Sequence, residues 1–113
     1  MLPAAHRMRR STDFASVVRD GVRVSGGPVV LHQRASVAGS APVVGLVISK
    51  AVGGSVVRHR VARRLRAQLA QRLDRLPSGS GTVVRALPGS AQASSAELGA
   101  ALDRALRRLA ARQ

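Results

Sequence analysis

The order of apolar periodicities in this chain predicts an α+β fold. The expected form is a two-layer α/β sandwich with elements in the order α-β-β-(β)-α-β-α around a mixed sheet. Three observations carry the prediction. Leu- and Val-striped helical segments lie near both ends and in the middle of the chain, short β-branched runs lie between them, and Gly/Pro/Ser clusters separate the two kinds. No repeat or linker divides the 113 residues, so one domain is expected over 1–113.

The elements follow in order. Residues 1–10 carry His6, Arg7, Arg9 and Arg10 without periodicity and read as a flexible basic arm, poorly ordered unless it packs. Ser11-Thr12-Asp13 is a helix start, and Phe14, Val17 and Val18 then share one face up to Gly21, which is placed to end the helix. Val22–Val24 suits a short strand, Ser25-Gly26-Gly27-Pro28 a turn and Val29–Arg34 a second strand. Ala38–Pro42 reads as a hairpin loop, and residues 43–49, the most apolar run, as the central strand. Val57, Val61, Leu65, Leu69, Leu73 and Leu76 then fall on one side of a helix over 55–76. Thr82–Leu87 is the last strand. Ser94 and Glu97 have capping-box spacing ahead of the stripe Leu98, Leu102, Ala105, Leu106 and Leu109.

Composition narrows the function. Nineteen Lys and Arg against five Asp and Glu give a net charge of +14, which attracts RNA, DNA or an anionic membrane. The absence of cysteine excludes disulfides and thiolate metal sites and fits a cytoplasmic protein. No apolar run approaches the ~20 residues of a membrane span, and the N-terminus lacks the apolar core of a secretory signal.

The charge concentrates in Ser49–Arg66, SKAVGGSVVRHRVARRLR, where Lys50, Arg58, Arg60, Arg63, Arg64 and Arg66 meet no acidic residue before Asp74. A solvated helix face usually mixes both signs, so this density points to a polyanion, and the guanidinium fork matches phosphate. Gly53-Gly54-Ser55 lacks the phosphate-loop pattern for nucleotide hydrolysis but suits a turn whose amides hold an RNA phosphate. His6, His32 and His59 are scattered and no carboxylate pair stands out, so neither a metal site nor an acid–base pair is expected in the protein. His59, inside Arg58-His59-Arg60, suits phosphate donation or base stacking. Phe14, the sole aromatic, is either core or a platform for an unpaired base.

The spacing Lys-x-Val-Gly-x-x-Val-x-Arg-x-Arg-x-x-Arg-x-x-Arg is met by Lys50, Val52, Gly53, Val56, Arg58, Arg60, Arg63 and Arg66. Together with Asp13, Phe14, Val17 and Gly21 upstream, it resembles the bacterial ribonuclease P protein component over nearly the whole chain. The resemblance implies a ribosomal protein S5 domain 2-like fold with a left-handed βαβ crossover, against the right-handed base rate. It also implies a role as the small basic subunit of a ribonucleoprotein that removes the 5′ leader of precursor tRNA, with the chemistry in the RNA subunit and its Mg2+ ions. Partners would be that catalytic RNA and precursor tRNA, with no obligate protein partner and no membrane. Carried over by position, Lys50, Arg58, Arg60, Arg63 and Arg66 face RNA, with Arg64 adding charge from a neighbouring face. Phe14 and His32 line a cleft for the leader, His32 standing where relatives often place an aromatic. The chain departs from the family pattern at Gly54-Ser55, His59 and Ala62, which removes side-chain amides and one cation. Rival expectations are a structural, ribosomal-type RNA-binding protein, a protein-only hydrolase and, more distantly, a basic membrane-surface protein.

Overall fold

The computed structural model describes residues 2–35 and 41–112. Helix α1 spans Ser11–Asp20. Strands β1 (Val22–Ser25), β2 (Val29–Ala35) and β3 (Val43–Ile48) follow, then helix α2 (Ser55–Ala70), strand β4 (Ser80–Ala86) and helix α3 (Ser95–Arg112). The sheet runs β1-β2-β4-β3. Its β1–β2 and β2–β4 pairs are antiparallel and its β3–β4 pair is parallel, so β3, α2 and β4 form the expected crossover unit of a mixed sheet.

The sheet has two differently covered faces. On one, α2 and α3 form the second layer of the sandwich. Val61, Leu65 and Leu69 of α2 and Leu98, Leu102, Leu106 and Leu109 of α3 join Val24, Val29, Leu31, Val44 and Val84 in the main core. On the other, α1 covers only part of the sheet, where Val17 and Met8 close over Val83 with Phe14, Val43 and Val47 packed against them. With one aromatic residue in the chain, the buried side chains of the two clusters are Leu, Val, Ala and Met.

Polar contacts fasten the helices of this second layer and tie α3 to the sheet. Ser94 and Glu97 form the expected capping box: the Ser94 N–H donates to Glu97 Oε1 at 2.9 Å and the Glu97 N–H to Ser94 Oγ at 3.1 Å. The Ser94 N–H, and after it the Ser94 hydroxyl, hold the Glu97 carboxyl below its usual range. Arg72 donates to both Asp103 oxygens at 2.8 and 3.2 Å, and Arg75 adds a contact at 2.5 Å. The Arg72 bond above all holds the Asp103 carboxyl at about 2. Arg108 and Arg112 at the end of α3 donate to the carbonyls of Ser25 and Arg23, fastening β1.

Several expectations are corrected. The run at 43–49 is an edge strand, not the central one, and it makes no hairpin with β2, because β4 lies between them. Its apolarity has another cause. Core lies on one of its faces, the α1 cluster lies on the other, and residues 7–8 run along its edge through an Arg7–Val44 bridge and a Met8 N–H···O Val44 bond of 2.8 Å. The N-terminal arm is therefore packed rather than loose. Leu2 is 1% exposed, the Arg7 Nε donates to the Leu2 carbonyl and His6 Nδ1 to the Pro42 carbonyl. Helix α2 stops at Ala70, and a 3₁₀ turn at Leu73–Arg75 carries Leu76 into the core instead of a continuous helix. Gly21 ends α1 with its N–H on the Val17 carbonyl, but in an extended rather than left-handed conformation. Residues 38–40 of the expected loop lie outside the described residues.

Candidate nucleic-acid interface

Helix α2 enters from a 3₁₀ turn at Lys50–Val52 through Gly53, whose φ of 155° lies where L side chains rarely go. With Val57, Val61, Leu65 and Leu69 turned inward or half-buried, the 3.6-residue period divides the remaining side chains into three rows. His59 and Arg63 are exposed on the outer row, beside a Val56 that is 78% exposed. With Ser55 and Arg60 they line an open concavity. Arg60 and Arg64 lie on the flank facing the 88–93 segment ahead of α3. There Arg60 Nη2 donates to the Ala91 carbonyl at 3.3 Å and Arg64 Nη1 to the Ala93 carbonyl at 2.8 Å. Arg58 and Arg66 lie on the third row with Ala62 between them, so the missing cation at 62 is a gap in this row. The Nε atoms of Arg58 and Arg60 are buried without a partner among the described residues. Lys50 is exposed at the entrance.

The carboxylates sit elsewhere. Asp20 pairs with Arg19 and Arg34, Asp103 with Arg72 and Arg75, and Glu97 caps α3. Among the described residues, none of Lys50, Arg58, Arg60, Arg63, Arg64 and Arg66 has a carboxylate within ion-pair distance. Nor do three or more His, Asp or Glu side chains gather there in a way suited to a metal ion. No described helix is long and apolar enough to cross a membrane.

Beside this basic helix runs a cleft. Where the N-terminal arm runs along the edge of β3, Phe14 of α1, Gly45 and Leu46 of β3, Arg66 of α2 and Arg7 and Met8 of the arm line a pocket of about 120 Å³. The Phe14 ring lies directly on Gly45: a Cβ there would stand 2.3 Å from Cε1 and 2.4 Å from Cζ. Phe14 is half-buried, so it both packs with the α1 cluster and keeps part of its ring at the cleft.

Register extends the cleft across the sheet. Gly45, Val83, His32 and Arg23 are successive cross-strand partners and share one face, and Val47, Arg85, Val30 and Ser25 form the next row. His32 thus lies two strand spacings, about 10 Å, from Gly45. Its side chain is buried at 3% exposure, so it presents no open stacking face, and neither ring nitrogen has a partner among the described residues. Burial, then Arg85, then Arg23 lower its proton affinity. Arg23 and Arg85, both exposed, are the site residues that sequence reasoning missed. Their signal was a charge at the alternate position of an apolar strand, in Val22-Arg23-Val24 and Val84-Arg85-Ala86.

A sheet backed by two helices, a basic α2 whose cations lack carboxylate partners, and a cleft of one aromatic ring and arginines define a small α+β RNA-binding protein. The comparisons give the particular family. The family model described as Ribonuclease P matches residues 2–110. The chain is 54% identical over 112 residues to the ribonuclease P protein component of Beutenbergia cavernae, covering 99% of this chain and 94% of that one. It is 49% identical to that of Streptomyces bikiniensis, covering 96% and 95%. Its fold superposes on the Staphylococcus aureus RNase P protein with a TM-score of 0.84 at 18% identity, covering 93% and 95%. For the Thermotoga maritima RNase P protein the TM-score is 0.79 at 19% identity, covering 90% and 96%. The chain belongs to the ribonuclease P protein component family, the protein subunits of a ribonucleoprotein endoribonuclease that processes tRNA. The ribosomal-type alternative is not favoured.

Proposed function

We propose that the rows on α2 hold the catalytic RNA while the Phe14 cleft receives the single-stranded 5′ leader of precursor tRNA. Lys50, Arg58, His59 and Arg63 are placed to neutralise phosphates and release counterions. Arg60 and Arg64 contribute the donors left over from their carbonyl contacts. Arg66 bridges the two surfaces, since it belongs to α2 and also lines the cleft with Phe14. That juxtaposition is the observation that carries the reading. A leader nucleotide packed on the exposed part of Phe14 and paired through its phosphate with Arg66 raises the affinity for precursor over mature tRNA.

Bond cleavage is assigned to the RNA subunit, where divalent metal ions would supply the activated water, and no group of three or more His, Asp or Glu among the described residues of the protein is placed to hold them. The protein's own carboxylates are occupied in ion pairs and a helix cap or sit singly, which supports a positional role for the chain. The protein acts in the cytoplasm and needs no second protein to bind its RNA.

The test is the affinity of the reconstituted holoenzyme for precursor and mature tRNA. Phe14→Ala and Arg66→Ala are expected to weaken precursor binding severalfold and leave mature tRNA binding nearly unchanged. Equal weakening of both substrates would mean that Phe14 is only core and that Arg66 only binds the catalytic RNA.

A further inference from the structure

A concavity of about 610 Å³ lies between the β1–β2 turn, the end of β4 and α3, apart from the Phe14 cleft. Its floor is apolar: a half-buried Pro28, a Leu87 that is 36% exposed, and Ala93 and Ala100. Its rim is polar, with Gln92, Glu97 and Arg104 all exposed. The walls are fixed. The Leu87 N–H donates to the Pro28 carbonyl at 2.8 Å, and a Cβ on Gly26 would stand 2.4 Å from the Ala101 carbonyl oxygen of α3. An apolar floor with a few convergent polar groups is the usual form of a small-ligand site.

The rim has a polarity. Glu97 and Arg104 are seven residues apart on α3 with Ala100 between them, so they share a face about 10 Å apart along the axis. The Ser94 N–H takes Glu97 Oε1 and leaves Oε2 as an acceptor. The Arg104 guanidinium rests on the turn, where a Cβ on Gly27 would stand 2.9 Å from Nη2, and among the described residues no carboxylate lies within ion-pair distance of it. Arg107 and Arg108, exposed one turn further on, continue the cationic line. On the other side the Pro88–Gln92 turn separates the concavity from α2 and accepts a hydrogen bond from Arg60 at the Ala91 carbonyl. Cations of α2 and of α3 thus flank the concavity.

We propose that this concavity takes one unpaired nucleotide of the RNA subunit, its base laid on Pro28 and Leu87 with an exocyclic amino group facing Glu97, and its phosphate on Arg104. The proposal rests on the reading that α2 holds that RNA. A strand leaving the outer row of α2 crosses the Pro88–Gln92 turn and continues along Arg104, Arg107 and Arg108. The Glu97 carboxylate repels phosphate at its own end, which fixes the direction of the nucleotide. It accepts from the amino group of cytosine, adenine or guanine and repels the O4 of uracil, so the site discriminates against uridine. Gln92, with both a donor and an acceptor, adapts to the rest of the base edge.

The experiment titrates the full chain with cytidine 5′-monophosphate, uridine 5′-monophosphate and inorganic phosphate, and follows the backbone amide NMR signals of Gly27, Gly89, Gln92 and Ala100. The expected result is saturable movement of all four with the nucleotides, the cytidine form binding about fivefold tighter. Inorganic phosphate should move Gly27, beside Arg104, and leave Gln92 in place. Glu97→Gln keeps a capping-box residue, so α3 still starts correctly, but its amide donates to O4 and should erase the preference for cytidine. In the reconstituted holoenzyme, Arg104→Ala should lower the salt slope of RNA-subunit binding by about one and leave the preference for precursor over mature tRNA unchanged. Amides unmoved by either nucleotide, equal affinities for the two, or an unchanged slope in Arg104→Ala overturns the proposal. So does an Arg104→Ala effect confined to tRNA binding, which would place a different RNA in the concavity. Arg63→Ala tests the underlying reading: if it leaves the slope unchanged while Arg104→Ala lowers it, the assignment of α2 fails and the nucleotide site stands.

Discussion

Replacing Gly45 by alanine tests the geometry of the cleft. The new Cβ would lie 2.3 and 2.4 Å from two Phe14 ring carbons and 3.1 Å from a third. Carbon atoms are at ease at roughly 3.5–4.0 Å, so the ring must retreat by about 1 Å or more. It has little room to do so, because Met8, Val17 and Val83, at 9%, 5% and 0% exposure, form the cluster it packs against. Overpacking of this kind costs about 1–3 kcal/mol, reduced by the several tenths that alanine gains over glycine in a strand. A net loss of about 1.5 kcal/mol lowers the melting temperature of a domain this size by about 6 °C. Thermal unfolding of Gly45→Ala, Phe14→Leu and the double variant measures it. Leucine removes the clashing ring, so the double variant should be more stable than the sum of the single losses by about 1 kcal/mol. The same displacement should reduce the preference for precursor tRNA. A Gly45→Ala protein within 0.5 kcal/mol of the parent, additive with Phe14→Leu, would show that the ring does not rest on Gly45.

Three further outcomes are expected. Ser94→Ala removes one half of the capping box and should cost about 1 kcal/mol by denaturant unfolding, with no change in RNA affinity. Asp103 contributes stability that is complete above its ordinary value of 3.8 and is lost as pH falls through about 2, because its folded value is depressed by Arg72 and Arg75. Asp103→Asn should therefore cost about 1 kcal/mol at neutral pH, and the variant's stability should fall less than the parent's between pH 4 and pH 2. Arg63→Ala should lower the salt slope of RNA binding by about one. Arg64→Ala, whose guanidinium is tied to the Ala93 carbonyl, should change the slope less and lower stability by about 1 kcal/mol. Equal slopes for the two would mean that the carbonyl contact does not hold Arg64 away from phosphate.

The helices were legible where side chains themselves carry the signal. Ser94 and Glu97 satisfy each other's backbone N–H groups, and that reciprocal bond depends on nothing beyond a four-residue window. The position of β3 was not legible. An apolar run states that both faces are covered, not that both edges are paired, and here the N-terminal arm and α1 provide the cover. The end of α2 was misread because Leu73 and Leu76 keep helical spacing while a 3₁₀ turn delivers them. Of the interface, the exposed outer row of α2 follows from its period alone. The contacts of Arg60 and Arg64 do not, because they depend on where the 88–93 segment crosses the helix. Arg23 and Arg85 lie 62 positions apart in the sequence and meet over His32 only through the β1-β2-β4 order, which no local pattern contains.

The most direct test is cleavage of precursor tRNA at low magnesium by the matching RNA subunit alone, the protein alone, and the two together. The account expects no cleavage by the protein alone, weak cleavage by the RNA alone, and clearly stimulated cleavage by the complex, with the stimulation reduced when the leader is shortened to the one nucleotide next to the cleavage site. Cleavage by the protein alone would contradict it by placing chemistry in a chain assigned only a positional role. Tight RNA binding without stimulation would contradict it by removing any part for the cleft in the reaction.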